Sequence, residues 1–378
     1  MRVLVAGDFY PSGKVGDLVV KGDFESVFPD IKEITGKVDY SIVNLECPVT
    51  GAREPIGKVG PALKCGAEAL DALGYAGFDC VTLANNHIND YGAEGVLETL
   101  SLLDSRGIDH VGGGKDRENA SRTLFKEIGG ETLAVINCCE REFSIAGKNT
   151  PGAAELDPAT QVSQIRMARE HADYVVVIVH GGYERCEYPS PRMVRTYRAF
   201  VDAGADAVIN HHQHFCSGYE VYSGKPVFYG IGNFCFEPIK PENDSWHKGV
   251  MVELRLGEEA GVCFRLIPFS QCLEQPGPHI LDEESSRSFL SHISELNSVI
   301  AAPEALENEY NAFLDRQASV YKGAFALPDK LARRLARIGV IKPFLSRKKG
   351  DLFLDYVGCD AHRDGLMRFL DKNKQLGQ

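Results

Sequence analysis

Three imidazoles within four positions, His211, His212 and His214, follow the small and apolar stretch 203–209. A neutral imidazole offers a nitrogen lone pair near pH 7, which makes histidine the commonest protein ligand for transition metals. A His-x-His pair in an extended or turning segment aims both rings to one side. The ends of other apolar runs carry groups of the same kind. One ends in Gly7-Asp8, another in Asn44-Leu45-Glu46, a third in Asn85-Asn86-His87, and a fourth in His180-Gly-Gly-Tyr-Glu184. The run 133–137 differs and continues into Cys138-Cys139-Glu140. Ends of parallel strands lie along one edge of a sheet, where open α/β folds bind ligands. Mixed oxygen and nitrogen donors suit Mn, Fe, Zn or Co better than Ca or a four-cysteine zinc site. A carboxylate between two such groups can bridge two metals ~3.5–4 Å apart, an arrangement that clamps phosphoryl oxygens.

The elements that must position these groups follow from periodicity. Runs of Val, Ile, Leu and Ala without alternation predict buried strands at 2–6, 40–45, 78–84, 133–137, 174–179 and 207–209. Amphipathic stretches at 95–105, 158–170 and 191–202 predict helices, with Asp157-Pro158 and Ser190-Pro191 as cap-plus-proline starts. Strands alternating with helices indicate an α/β fold with a largely parallel sheet. Two hairpin-like units, 219–229 and 250–267, predict a second, more antiparallel sheet packed beside the first. Beyond residue 280 the pattern becomes polar and helical. The expected division is a domain over 1–275 and a helical C-terminal extension over 280–378.

Composition narrows the function classes. A net charge of -12 over 378 residues argues against a general nucleic-acid binder. No apolar run reaches the roughly 18 residues that span a bilayer, so no integral membrane association is expected. The first residues read as a core strand and not as a signal peptide. The 11 cysteines are scattered, with no Cys-x-x-Cys, which points to reduced thiols and a cytoplasmic location. The stretch 111–115, Val-Gly-Gly-Gly-Lys, lacks Walker spacing and reads as a flexible turn. Basic residues over 330–349 read as the solvated face of a packed helix, in preference to a membrane-surface helix.

The ordered set is Gly7-Asp8, Asn44-Leu45-Glu46, Ala84-Asn85-Asn86-His87, His180-x-Gly-x-Glu184, 203–214 from Ala-Gly-Ala-Asp to His-His-x-His, and Gly224-Lys225-Pro226 with Gly232-Asn233-Phe234. Across residues 1–260 this set resembles the capsule-synthesis protein family of CapA or PGA_cap type, associated with poly-γ-glutamate capsules. That family belongs to the calcineurin-like metallophosphoesterase superfamily. The resemblance implies a four-layer α+β sandwich, two mixed β-sheets flanked by helices. It implies a metal-dependent hydrolase of a phosphate ester or related bond, in a capsule-polysaccharide or poly-γ-glutamate context. The alternative is a non-hydrolytic factor that handles polyglutamate or glycan. One or two divalent ions, such as manganese, are implied as cofactors. The substrate is a small molecule or a polymer, anionic ones included, and the oligomeric state is left open.

The same resemblance distributes roles. Asp8 and His214 would hold one metal; Asn86, His180 and His212 would hold the second. Glu46 would stand where the superfamily has a bridging aspartate. His87 would protonate the leaving group or stabilise the phosphoryl oxygens. The usual Asp-x-His opening is Asp8-Phe9-Tyr10 here, which removes one imidazole and leaves a mononuclear site open. Gly181 stands where family members often carry tryptophan, which implies a wider pocket. Supporting or substrate-contacting candidates are Tyr10, Asn44, Asn85, Asp90, Glu184, His211 and Asn233. Asn89 and Asp90 are expected to cap the next helix and orient His87. Asn233 is expected to be structural, and His211 to stand outside the ligand set. Glu184 reads equally as a site carboxylate or as a partner of Arg185 or Arg192.

Overall fold

The computed structural model describes residues 1–326 apart from 59, 241, 259 and 260, and beyond them 334, 335, 338, 350, 353 and 357. Among the described residues sixteen strands follow one another: β1 Arg2–Tyr10, β2 Tyr40–Leu45, β3 Cys80–Thr82, β4 Asp109–Val111, β5 Gly113–Gly114, β6 Leu124–Ile128, β7 Glu131–Cys139 and β8 Gly152–Ala153 come first. Then come β9 Tyr174–His180, β10 Ala207–His211, β11 Tyr219–Tyr222, β12 Lys225–Phe228, β13 Asn233–Phe236, β14 Lys248–Glu258, β15 Gly261–Gln271 and β16 Pro278–Ile280. One sheet has the order β16-β15-β14-β1-β2-β3-β4, with β13 also paired to β1; the other has the order β11-β12-β10-β9-β7-β6. Both are mixed, because β14 runs antiparallel to β1 while β2 and β13 run parallel to it. In the other sheet β6 and β11 are the antiparallel members.

Alternation along the strands builds the layers. In β1 the side chains of Val3 and Val5 enter one core with Leu133, Val135, Val176, Ile178 and Ile209 from the other sheet. Successive strand residues point to opposite faces, so Leu4 and Ala6 turn the other way. They join a cluster with Val15, Leu70, Leu73 and Val96, which lie on helices. Val175, Val177 and Val179 likewise meet Ile165, Met193, Tyr197 and Phe200 from the helices Pro158–Arg169 and Pro191–Ala203. The result is a helix–sheet–sheet–helix sandwich.

Several local expectations are corrected. The predicted hairpins do not form a separate sheet. Residues 219–228 extend the β9–β10 sheet, and 248–271 extend the β1 sheet. The stretch 111–115 is not a flexible turn: Gly112, Gly113 and Gly114 are buried, and a Cβ on Gly114 would lie 2.1 Å from the Ala120 nitrogen. Ser190 caps its helix by accepting from Met193 N at 3.1 Å, whereas the Asp157 carboxylate makes no such cap and accepts from the Thr160 hydroxyl instead. After β16 come helices Glu283–Ile300 and Pro303–Ala326. The chain divides into units Met1–Tyr310 and Asn311–Gln378, and the strand-end donors all lie in the first. The basic segment 330–349 lies outside the described residues except at 334, 335 and 338. Among the described residues no helix is long and apolar enough to cross a membrane.

Candidate metal centre

Carboxyl ends of strands from both sheets meet in one place. Asp8 lies in β1, at an irregularity where β13 comes alongside and pairs Asp8 with Asn233. Gly7 makes this possible, since a Cβ there would stand 1.9 Å from the Gly232 carbonyl oxygen. Glu46 follows β2, Asn85 to His87 follow β3, and His180 closes β9. His211 ends β10, and the chain then turns sharply: His212 has φ 82° and His214 φ 61°. Non-glycine residues rarely adopt this left-handed conformation, which is held only where the surroundings over-determine it. Here Asn210 supplies the hold, donating to the carbonyls of Gly181 (2.8 Å) and Tyr229 (2.9 Å), while Gln213 donates to Cys186 O at 2.7 Å.

Asp8, Glu46, Asn86, His180, His211, His212 and His214 are all buried. His180 Nε2 lies 3.0 Å from Asn86 Oδ1, 3.0 Å from His212 Nδ1 and 3.3 Å from Glu46 Oε1. His214 Nδ1 is 3.6 Å from Asp8 Oδ2 and 4.0 Å from Glu46 Oε2. Among the described residues, ligand-capable atoms fall into three groups, Asp8–His180–His211, Glu46–His180–His212 and Asp8–Glu46–His214, each within 4.8 Å. His211, expected to stand apart, thus faces Asp8 at 3.8 Å, and both its ring nitrogens lack a hydrogen-bond partner.

These residues fit a bound cation. Both Glu46 oxygens are buried without a hydrogen-bond donor. Burying an ionised carboxylate without compensation is prohibitive. One ring nitrogen carries at most one proton, so His180 Nε2 cannot satisfy all the acceptors around it. A divalent ion among them would answer both deficits. The electrostatics agree. Burial, then the charge of Asp8, pushes the Glu46 carboxyl well above its usual range. Burial also pushes Asp8 up, but the His214 hydrogen bond and the neighbouring imidazoles outweigh it and hold Asp8 well below the carboxylate range. Burial and His212 push His180 well down, towards the neutral, lone-pair-bearing form.

The remaining candidates surround this centre. Asn44 donates to Asp8 Oδ1 at 2.7 Å, and its own Oδ1 accepts from Asn85 at 3.2 Å. Asn85 Oδ1 accepts the main-chain N–H of His87 (3.1 Å) and Ile88 (2.9 Å), which sets the turn that presents Asn86 and His87. Asn233, expected to be structural, also reaches the site, with Oδ1 2.8 Å from His214 Nδ1. Tyr10 stacks edge-on with Phe236, whose ring lies 5.2 Å from His214. Glu184 accepts from Arg185 at 2.9 Å, while Arg192 pairs with Glu140 instead. Burial pushes Glu184 up, but His214, His212 and Arg185 outweigh it and hold the carboxyl down. Beside Gly181 the Glu140 side chain fills the space a Cβ would take, its Cγ 2.8 Å from that position.

Asp90 does not cap the helix Gly92–Arg106, whose cap position Tyr91 makes no side-chain bond. It accepts from His87 Nδ1 (2.7 Å) and Leu63 N (2.7 Å), and pairs with Lys58. Asn89 instead donates to the Phe143 carbonyl at 3.3 Å. Two further site residues carry no signal in the sequence. Lys58, with a 4% exposed side chain, stands 3.0 Å from His87 Nδ1. Glu142 lies 3.5 Å from His212 Nε2. Both sit on loops, where no periodicity marks them.

Fold and site together define a four-layer α/β sandwich with a buried carboxylate–histidine centre at the carboxyl ends of both sheets. The chain belongs to the family described as bacterial capsule synthesis protein PGA_cap, whose profile matches residues 2–238. It is 33% identical over 236 residues to the PGA biosynthesis protein CapA of Bacillus subtilis (strain 168), covering 61% of this chain and 62% of that one. It is 30% identical over 246 residues to the capsule biosynthesis protein CapA of Bacillus anthracis, covering 63% and 60%. The chain therefore spans about 60% of the length of these relatives. Among solved structures, a novel phosphatase of Mycoplasma pneumoniae aligns with a TM-score of 0.46 at 14% identity, covering 71% of this chain and 93% of that one.

Proposed function

We propose that this chain is a metal-dependent hydrolase of a phosphate ester or related bond, serving capsule-polymer or poly-γ-glutamate synthesis. The observation that carries the reading is the buried Glu46 carboxylate with both oxygens unpaired among His180, His212 and His214. Asp8, Glu46, Asn86, His180, His212 and His214 would hold one or two divalent ions, with Mn, Fe, Zn and Co the candidates. Such an ion supplies Lewis-acid charge and water activation near neutral pH. The protein's own part is positional. His87 is fixed through Nδ1 by Asp90, which leaves Nε2 to pass a proton to the departing oxygen. Lys58 holds Asp90 in place. Burial, then the offsetting Asp90 bond, leaves the His87 pKa below its ordinary value.

The second reading is a polyglutamate-handling factor without hydrolysis, and the names of the Bacillus relatives favour it, since they state biosynthesis. Purified protein loaded with Mn or Co is assayed on phosphomonoesters, phosphodiesters and γ-glutamyl polymer. The hydrolase reading expects turnover that falls by about 10²–10⁴-fold in His87→Ala and disappears in His212→Ala. A metal-loaded protein inert on every ester but retaining γ-glutamyl polymer would replace it with the second reading.

A further inference from the structure

Cys47 and Cys65 are 18 positions apart, yet their sulfurs stand 3.3 Å from each other. Their backbones are already held side by side. Cys65 N donates to Pro48 O at 3.1 Å, and Thr50 N donates to Cys65 O at 3.1 Å, around a parallel bridge between Val49 and Cys65. A disulfide needs a sulfur separation of about 2.05 Å, so closure asks for side-chain movement and leaves the backbone pairing intact. Cys47 is buried, whereas Cys65 is partly exposed. That difference sets an order of attack: an oxidant reaches Cys65 first and Cys47 resolves it.

The loop between them reaches the candidate centre by three routes. Ile56 N donates to Asp90 O at 2.8 Å, Leu63 N donates to Asp90 Oδ2 at 2.7 Å, and Lys58 pairs with Asp90 and lies 3.0 Å from His87 Nδ1. Every one of these contacts ends on the Asp90–His87 pair. We propose that Cys47 and Cys65 form a thiol–disulfide site that fastens the loop 48–64 over this pair.

The oxidant is a low-molecular-weight disulfide. The Cys65 sulfur attacks one of its sulfurs, forming a mixed disulfide and releasing one thiol. The Cys47 sulfur then attacks Cys65 Sγ, forming the internal bond and releasing the second thiol. Two cysteine thiols are oxidised and one small disulfide is reduced to two thiols, so atoms and electrons balance. The inference stands independently of hydrolysis, because its readouts need neither metal nor substrate.

The full chain is reduced, exposed to excess oxidised glutathione under native conditions, quenched by alkylation and digested for peptide mapping. The expected product links the peptides carrying Cys47 and Cys65, with the loss of two hydrogens. The thermal midpoint rises by about 5 °C, as closure of a loop this long would give in a domain of this size. Cys65→Ser, at the partly exposed position, abolishes both effects. Cys272→Ser abolishes neither; it breaks another contacting thiol pair, Cys235 with Cys272. A glutathione adduct that persists on Cys65 with Cys47 still reduced overturns the proposal. So does oxidation that leaves both thiols free.

Discussion

The Glu46 carboxylate is fully buried with neither oxygen hydrogen-bonded, and it sits between Asp8 and three imidazoles. Stripped of a cation, such a group is a liability; with one, it is a ligand. Glu46→Gln should therefore act with opposite signs in the two states. In chelator-treated protein the thermal midpoint stays level or rises, because the cost of burying an unpaired ionisable carboxyl is gone. With Mn or Zn present the variant falls below the parent. An equal loss in both states would contradict the ligand role. Lys58 tests the surroundings of His87. Lys58→Met should lower turnover by about 10–100-fold while leaving bound metal unchanged, the scale at which groups orienting a site act; Lys58→Arg should recover part of it. Metal lost along with turnover would mean that Lys58 only supports the fold. The strand-end donors can be read as neighbours from the sequence, because each follows an apolar run that ends at a sheet edge. Lys58 and Glu142 cannot, because their loops are placed by contacts such as Lys58–Asp90 that no spacing encodes.

At the level of elements, β1, β14 and β15 are clasped by a charge cluster at the end of the sheet remote from Asp8. Glu253 on β14 accepts from Arg2 (3.0 Å), Arg255 (3.2 Å) and Arg265 (2.6 Å). Burial pushes this carboxyl up, but the guanidiniums outweigh it and hold it below the usual carboxylate value. A group whose folded pKa is depressed contributes stability above its unfolded value of about 4.3, and loses it as pH falls through the folded one. The arginine side chains are 42–55% exposed, so screening trims the gain. Glu253→Gln should cost about 1–3 kcal/mol at pH 7, and the gap should narrow below about pH 4 in denaturant titrations. A gap independent of pH would contradict this. The apolar cores of β2 and β9 are legible directly, whereas β4 and β6 are not. The β4 burial pattern is mostly intermediate, and β6 alternates between intermediate and exposed residues, so neither shows a continuous apolar run. The sheet membership of the hairpins escapes the sequence for another reason: pairing of β14 with β1 joins residues about 250 positions apart, and no local pattern reports it.

For the whole molecule, the two sheets are brought together by a core drawn from both, and the centre forms only where their carboxyl ends meet. Binding there must stabilise the fold through mass action. At a free metal concentration 100 times Kd the gain is about 2.7 kcal/mol, which should appear as a rise of a few degrees in the thermal midpoint that chelator reverses. The most direct test of the central claim is elemental analysis of the purified protein after incubation with Mn or Zn, beside the His212→Ala/His214→Ala variant. The account predicts one or two equivalents of divalent metal in the parent and a near-complete loss in the variant. A parent that holds no metal, or a variant that holds as much as the parent, would contradict it.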